Sequence, residues 1–153
     1  PFYPSESEVT AIDLAPGMLA RARRRAERLG ANVDLRLEDA QALSFSDNAF
    51  DTAVGTFVFC SVPDAVLGLR ELARVVRPGG QVLLLEHVRS PREAVGKVMD
   101  LLDPPVSYLL GVHINRRTVD NVRKAGLDIT DVEELAFGGI FKLIEARVPA
   151  GSS

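Results

Sequence analysis

The run Leu69-Arg70-Glu71-Leu72-Ala73-Arg74-Val75-Val76-Arg77-Pro78-Gly79-Gly80-Gln81-Val82-Leu83-Leu84-Leu85-Glu86-His87 changes its hydrophobic period part-way along. Pro63-Asp64 opens a helical pattern through Leu67, Leu69, Leu72, Val75 and Val76, and Pro78-Gly79-Gly80 ends it. Val82 to Leu85 is then continuously apolar, as in a strand buried on both faces. Helix, tight turn and buried strand in succession predict an α/β domain with a mostly parallel sheet.

The same alternation extends in both directions. Upstream, Val9 to Ile12 is a short β-rich run ending at Asp13. Pro16 then sits where the first turn of a helix accepts proline, with Met18, Leu19, Ala22, Ala26 and Leu29 at helical spacing and Gly30 as the stop. Val33 to Leu37 alternates apolar with polar, and Phe50 to Phe59 is predicted as a second, more apolar strand. Downstream, Pro91, Pro104 and Pro105 divide a mixed segment into short helical pieces, and Thr118 to Ala125 is a helix stopped by Gly126. Ile129 to Leu135 and Phe141 to Val148 form a terminal antiparallel hairpin, with Phe137-Gly138-Gly139 as its turn.

A chain of 153 residues suits one compact domain, here 1–148, followed by a flexible tail at 149–153. A hydrophobic share of 46% fills a core, and a net charge of -3 gives no electrostatic case for nucleic acid. No apolar run is long enough to span a bilayer. The lone Cys60 excludes an internal disulfide and a cysteine-cluster zinc site; no metal site is expected, and a cytoplasmic setting is the simplest reading.

Chemistry is expected beyond the carboxyl ends of the strands, where open α/β sheets bind ligands. Asp13 has either of two roles there: accepting from both hydroxyls of a ribose, or capping the next helix. Glu38-Asp39-Ala40 either receives an exocyclic adenine amine or is a polar loop with a helix cap. Thr56 to Val62 lines a pocket beside the sheet. His87 acts as a base towards the substrate or is a structural strand-end histidine.

In this order and spacing the pieces resemble the UbiE-type branch of the class I S-adenosylmethionine-dependent methyltransferases. Asp13-Leu14-Ala15-Pro16-Gly17-Met18-Leu19 is similar to the family's ribose-binding segment, and Glu38-Asp39-Ala40 to its adenine-binding segment. Phe50-Asp51-Thr52-Ala53-Val54 matches the strand before its substrate loop, and Leu69 to Gly80 is its most specific signature. Phe2-Tyr3-Pro4, Phe59-Cys60-Ser61-Val62, Glu86-His87-Val88 and Leu102-Asp103-Pro104 resemble the methyltransferase-like group that includes alkyl thiol methyltransferases.

The resemblance implies a Rossmann-like sheet and S-adenosylmethionine as cofactor. Asp13 would hold the ribose, Asp39 and Ala40 would read the adenine, and Leu14 and Met18 would pack against it. Thr56 and Phe57 would line the methyl-transfer side, and His87 is the candidate catalytic residue. The acceptor would be a small, apolar molecule methylated on sulfur, oxygen, nitrogen or carbon.

Members of the family open with a strand and a Gly-x-Gly loop, whereas no Gly-x-Gly precedes Val9. The expected fold is therefore a truncated one that lacks the usual first strand. That strand would lie between the Val9–Asp13 and Phe50–Phe59 strands. The edges it would leave pair directly in a six-stranded sheet, meet a second chain in a homodimer, or belong to a longer protein. Weakened cofactor binding follows, because the methionine end would lose its cradle.

A non-catalytic remnant serving as a dimerisation or binding module is the competing function. A nicotinamide-dependent oxidoreductase is disfavoured, because no Gly-x-Gly-x-x-Gly is present. Cys60 is either a pocket thiol or a small buried hydrophobe. Arg21, Arg23, Arg24, Arg25 and Arg28 form a solvated helix face or an anion-binding patch. The apolar Ala94 to Ile114 segment covers the substrate pocket or makes a core or dimer contact, and His113 is expected in a plain surface role.

Overall fold

A computed structural model describes Pro4 and residues 6–150. Phe2 and Tyr3, and Gly151-Ser152-Ser153 of the expected tail, lie outside the described residues. The chain divides into two compact units, Pro1–Ser44 and Phe45–Ser153.

The first unit is a β-α-β element. Strand β1 (Val9–Asp13), helix α1 (Pro16–Leu29) and strand β2 (Val33–Leu37) follow in order. The two strands are parallel and in register from Val9 opposite Val33 to Asp13 opposite Leu37. Pro16 occupies the first turn of α1, where its missing N–H would have no partner in any case. Gly30 ends the helix at φ 60°, its N–H bonded to the carbonyls of Ala26 and Glu27. Arg21, Arg23, Arg24, Arg25 and Arg28 are all exposed.

In the second unit, strand β3 (Phe50–Thr56), helix α2 (Ala65–Val75) and strand β4 (Val76–His87) lead to helices α3 (Glu93–Leu110) and α4 (Thr118–Lys124). Strands β5 (Asp128–Ala136) and β6 (Phe141–Arg147) complete it. The sheet order is β3-β4-β6-β5, with β3 and β4 parallel and the other two pairs antiparallel. Val76, Val82 and Leu84 of β4 are fully buried, together with Leu69 of α2 and Ile144 and Ala146 of β6. Asp64 caps α2 by accepting the Leu67 N–H at 2.9 Å.

Four expectations are corrected. The strands form two separate sheets, not the single six-stranded one that direct pairing would give. β4 begins at Val76, immediately after α2, because Val76 already pairs with Phe50. Pro78-Gly79-Gly80 is therefore a bulge within the strand: Phe50 lies opposite Val76 but Thr52 lies opposite Gln81. β3 stops at Thr56, where Phe57 turns to φ 52° and leaves the ladder. The proline-rich segment is one helix with Pro104 and Pro105 inside it. The carbonyls their missing N–H groups free belong to Asp100 and Leu101, two exposed residues.

The bulge sets a requirement at Gly80. A Cβ there would stand 2.5 Å from Val76 Cγ1, 2.7 Å from the Asp51 carbonyl and 2.8 Å from the Arg77 carbonyl. Gly79, at φ 75°, has open space around it. Gly80→Ala is expected to cost about 2–3 kcal/mol through the clash, and Gly79→Ala about 1–2 kcal/mol through backbone strain alone. Urea unfolding of both variants checks that order.

Candidate functional site

In the first unit the predicted residues gather at the carboxyl ends of two parallel strands. Asp13 is the last residue of β1, and the Glu38 N–H donates to its carbonyl at 3.3 Å, joining the two strand ends. Asp13 Oδ1 accepts the Ala15 N–H at 2.7 Å, which sets the entry of the chain into α1. Its Oδ2 makes no hydrogen bond with any described residue. Leu14 and Met18 stand beside it, 65% and 50% exposed. That is a high exposure for apolar side chains next to an open carboxylate.

After β2, Asp39 Oδ1 accepts the Gln41 N–H at 2.9 Å, and Gln41 Nε2 lies 3.2 Å from both carboxylate oxygens. Oδ1 thus has two donors and Oδ2 one, so Oδ2 keeps a further lone pair, and the Ala40 N–H has no partner among the described residues. Glu38 is committed locally. The Ser44 hydroxyl and N–H both donate to it and hold its carboxyl below the usual carboxylate range.

In the second unit Thr56 lies opposite Leu85, and the Phe57 N–H donates to the Leu85 carbonyl at 2.9 Å. His87 ends β4 opposite Phe141. The rings of Phe57, His87 and Phe137 all pack on Phe141, with centroids 5.6–5.8 Å away. Phe57 and His87 are thus brought to one aromatic cluster through a phenylalanine that the sequence reading did not assign to the site. Burial holds the His87 imidazole below its ordinary value of 6.5, so it is neutral at neutral pH.

Sequence reasoning missed Glu86. It sits on the opposite face of β4 from His87, fully buried. Its Oε1 accepts the N–H groups of Val58 and Phe59 at 2.9 and 3.1 Å. Burial pushes its carboxyl above the usual range, partly offset by those two bonds. Only its place at the end of an apolar strand could have drawn attention to it.

Cys60 takes the buried alternative. Its Sγ lies 3.4 Å from the Phe57 carbonyl, and burial followed by the Glu86 charge pushes the thiol up, away from the reactive thiolate. His113 is not a plain surface residue: its N–H donates to the Cys60 carbonyl at 2.8 Å and its Nδ1 lies 2.9 Å from Asp103 Oδ2. Burial alone would raise Asp103. Hydrogen bonds from His113 and the Ile114 N–H outweigh it and leave the carboxyl below its ordinary range. Among the described residues no cluster of three His, Cys, Asp or Glu side chains could hold a metal ion, and no helix is long and apolar enough to cross a membrane.

The predicted cofactor residues fit S-adenosylmethionine chemically. An open carboxylate oxygen suits ribose hydroxyls, two exposed apolar side chains suit a purine face, and an acceptor beside a free N–H suits an adenine edge.

Residues 2–84 match the model of a protein family described as a methyltransferase domain. The chain is 33% identical over 149 residues to a phosphatidylethanolamine N-methyltransferase of Cereibacter sphaeroides, covering 94% of this chain and 71% of that one. It is 45% identical over 105 residues to a demethylmenaquinone methyltransferase of Thermus thermophilus, covering 69% and 48%. Among solved structures, the (4+2)-cyclase SpnF superposes with a TM-score of 0.78 at 22% identity, over 94% of this chain and 67% of that one, which shows a shared fold. The chain thus spans about half of one curated relative and about seven-tenths of the other.

The environment of His87 sets a pH dependence. A folded value below the unfolded one means that His87 contributes stability above pH 6.5, and that this is lost as pH falls through the folded value. Replacing His87 with Phe removes that term. Urea midpoints between pH 7.5 and pH 5 should fall further for the wild type than for His87→Phe.

Proposed function

The chain belongs to the methyltransferase domain family, and on that premise we propose that it transfers a methyl group from S-adenosylmethionine to a small, apolar acceptor. The observation that carries the reading is Asp13: a strand-end carboxylate with one oxygen fixed to the backbone and the other open. The relatives named for phosphatidylethanolamine and demethylmenaquinone support a small-molecule acceptor.

Bound S-adenosylmethionine supplies an electrophilic methyl group on a sulfonium centre. Asp13 accepts the ribose hydroxyls and cannot rotate away, because Ala15 holds its other oxygen. Leu14 and Met18 cover the adenine face, Asp39 accepts from the exocyclic amine, and the Ala40 N–H donates to the ring edge. Thr56 and Phe57 are the second unit's candidates for the methyl-transfer side. In-line displacement needs mainly orientation and desolvation from the protein. Where the acceptor has a proton to lose, His87, kept neutral by burial, takes it.

Two further readings accompany this one. β3 ends its sheet with one edge paired, and an open strand edge favours pairing with a second copy, so the chain forms a homodimer. The lone, unpaired Cys60 suits a reducing, cytoplasmic setting.

Calorimetric titration with S-adenosylhomocysteine tests the function. Saturable binding is expected, with Asp13→Ala weakening it by about 10- to 100-fold through loss of hydrogen bonds to a charged acceptor. Absence of binding by the wild type would leave only a fold-bearing module. Light scattering is expected to give a dimer mass, and a strictly monomeric species overturns the pairing along β3.

A further inference from the structure

Glu86 carries out no step in the reaction above, yet its position is tightly specified. Its Oε1 accepts two successive backbone N–H groups, from Val58 and Phe59. Those amides lie in a turn outside any helix or strand, closed by the Ser61 and Val62 N–H groups on the Val58 carbonyl. Phe57, just before them, is left-handed at φ 52°. Such a residue in a turn can swing the next N–H groups to one side, forming a concave nest that attracts an anion. Here the chain supplies the acceptor itself.

Phe57 lacks the conformational freedom of glycine, so its left-handed backbone persists only where neighbours hold it. Leu85 holds its N–H through a carbonyl, at 2.9 Å. Glu86 holds the two amides that follow. Phe141, opposite His87, packs on the ring. Three consecutive residues of β4 thus bear on one aromatic side chain: Leu85 through its N–H, Glu86 through the two amides that follow it, and His87 through the cluster on its ring.

We infer that Glu86 is a positioning residue: its carboxylate sets the Phe57–Phe59 turn and thereby the face that Phe57 presents to the cofactor. This rests on the reading that Phe57 lines the methyl-transfer side. Glu86 Oε2 has no partner among the described residues, so the turn uses one accepting oxygen only. Glutamine is therefore the discriminating replacement. It keeps an acceptor of the same reach, whereas leucine keeps much of the volume and loses the acceptor.

The test combines amide hydrogen exchange by NMR with S-adenosylhomocysteine titration on the wild type, Glu86→Gln and Glu86→Leu. The Val58 and Phe59 amides are expected to exchange at least about 100-fold slower than unprotected amides in the wild type and Glu86→Gln, and to lose that protection in Glu86→Leu. Affinity should fall by about tenfold or more in Glu86→Leu and return to within about threefold of the wild type in Glu86→Gln. Should the leucine variant fail to fold, wild-type exchange and the glutamine affinity decide the matter. Fast exchange with intact binding, or a glutamine variant as weak as leucine, overturns the role of Glu86 alone. Protected amides in a wild type that does not bind S-adenosylhomocysteine overturn the cofactor reading, and the positioning role with it.

Discussion

Strand β4 is hydrogen-bonded along both edges, to β3 on one side and β6 on the other, and the second unit takes its arrangement from that strand. Successive side chains of a strand point to opposite faces, so pairing in a fixed register decides what each residue can do. Val82, Leu84 and Glu86 go into the core. Leu83, Leu85 and His87 go to the other face, where His87 meets Phe141. A one-residue slip would exchange the environments of Glu86 and His87. The bulge sets the four residues Arg77–Gly80 opposite the single Asp51 and lets the register from Gln81 onward meet that of β3.

Burial acts on the ionisable groups around this strand in one direction. It raises the carboxyl of Glu86 and the thiol of Cys60 and lowers the imidazole of His87, in each case favouring the neutral form. Asp103 is the counter-example: burial opposes its ionisation, but His113 and the Ile114 N–H donate to it and reverse the balance. Its bonds also order the loop that reaches the Val58–Pro63 segment, through the His113 N–H on Cys60 and through Arg116 on the carbonyls of Val62 and Pro63. That segment is therefore held by Glu86 near its start and by the loop after α3 near its end.

Much of the fold is legible in the sequence because its signals are local. The Val9–Asp13 strand, its proline-started helix and the glycine stop are all set within about twenty residues, and the strand-end acids Asp13 and Asp39 follow from them. What escapes the sequence depends on distant partners. Glu86 reads as an ordinary polar end to an apolar run, since the amides that occupy it are 27 and 28 residues away and belong to the backbone. His113 reads as surface because Asp103 and Cys60 give it its role. Pro104 and Pro105 suggest broken helices, whereas α3 runs through both, with exposed residues, Asp100 and Leu101, carrying the carbonyls they free.

Diffraction from crystals grown with S-adenosylhomocysteine tests the central claim, that the strand-end residues of this chain hold the nucleoside. Both ribose hydroxyls are expected within hydrogen-bond distance of the Asp13 carboxylate, and the adenine edge against Asp39 and Ala40. A nucleoside bound elsewhere on the chain, with the Asp13 carboxylate left to solvent, would contradict it.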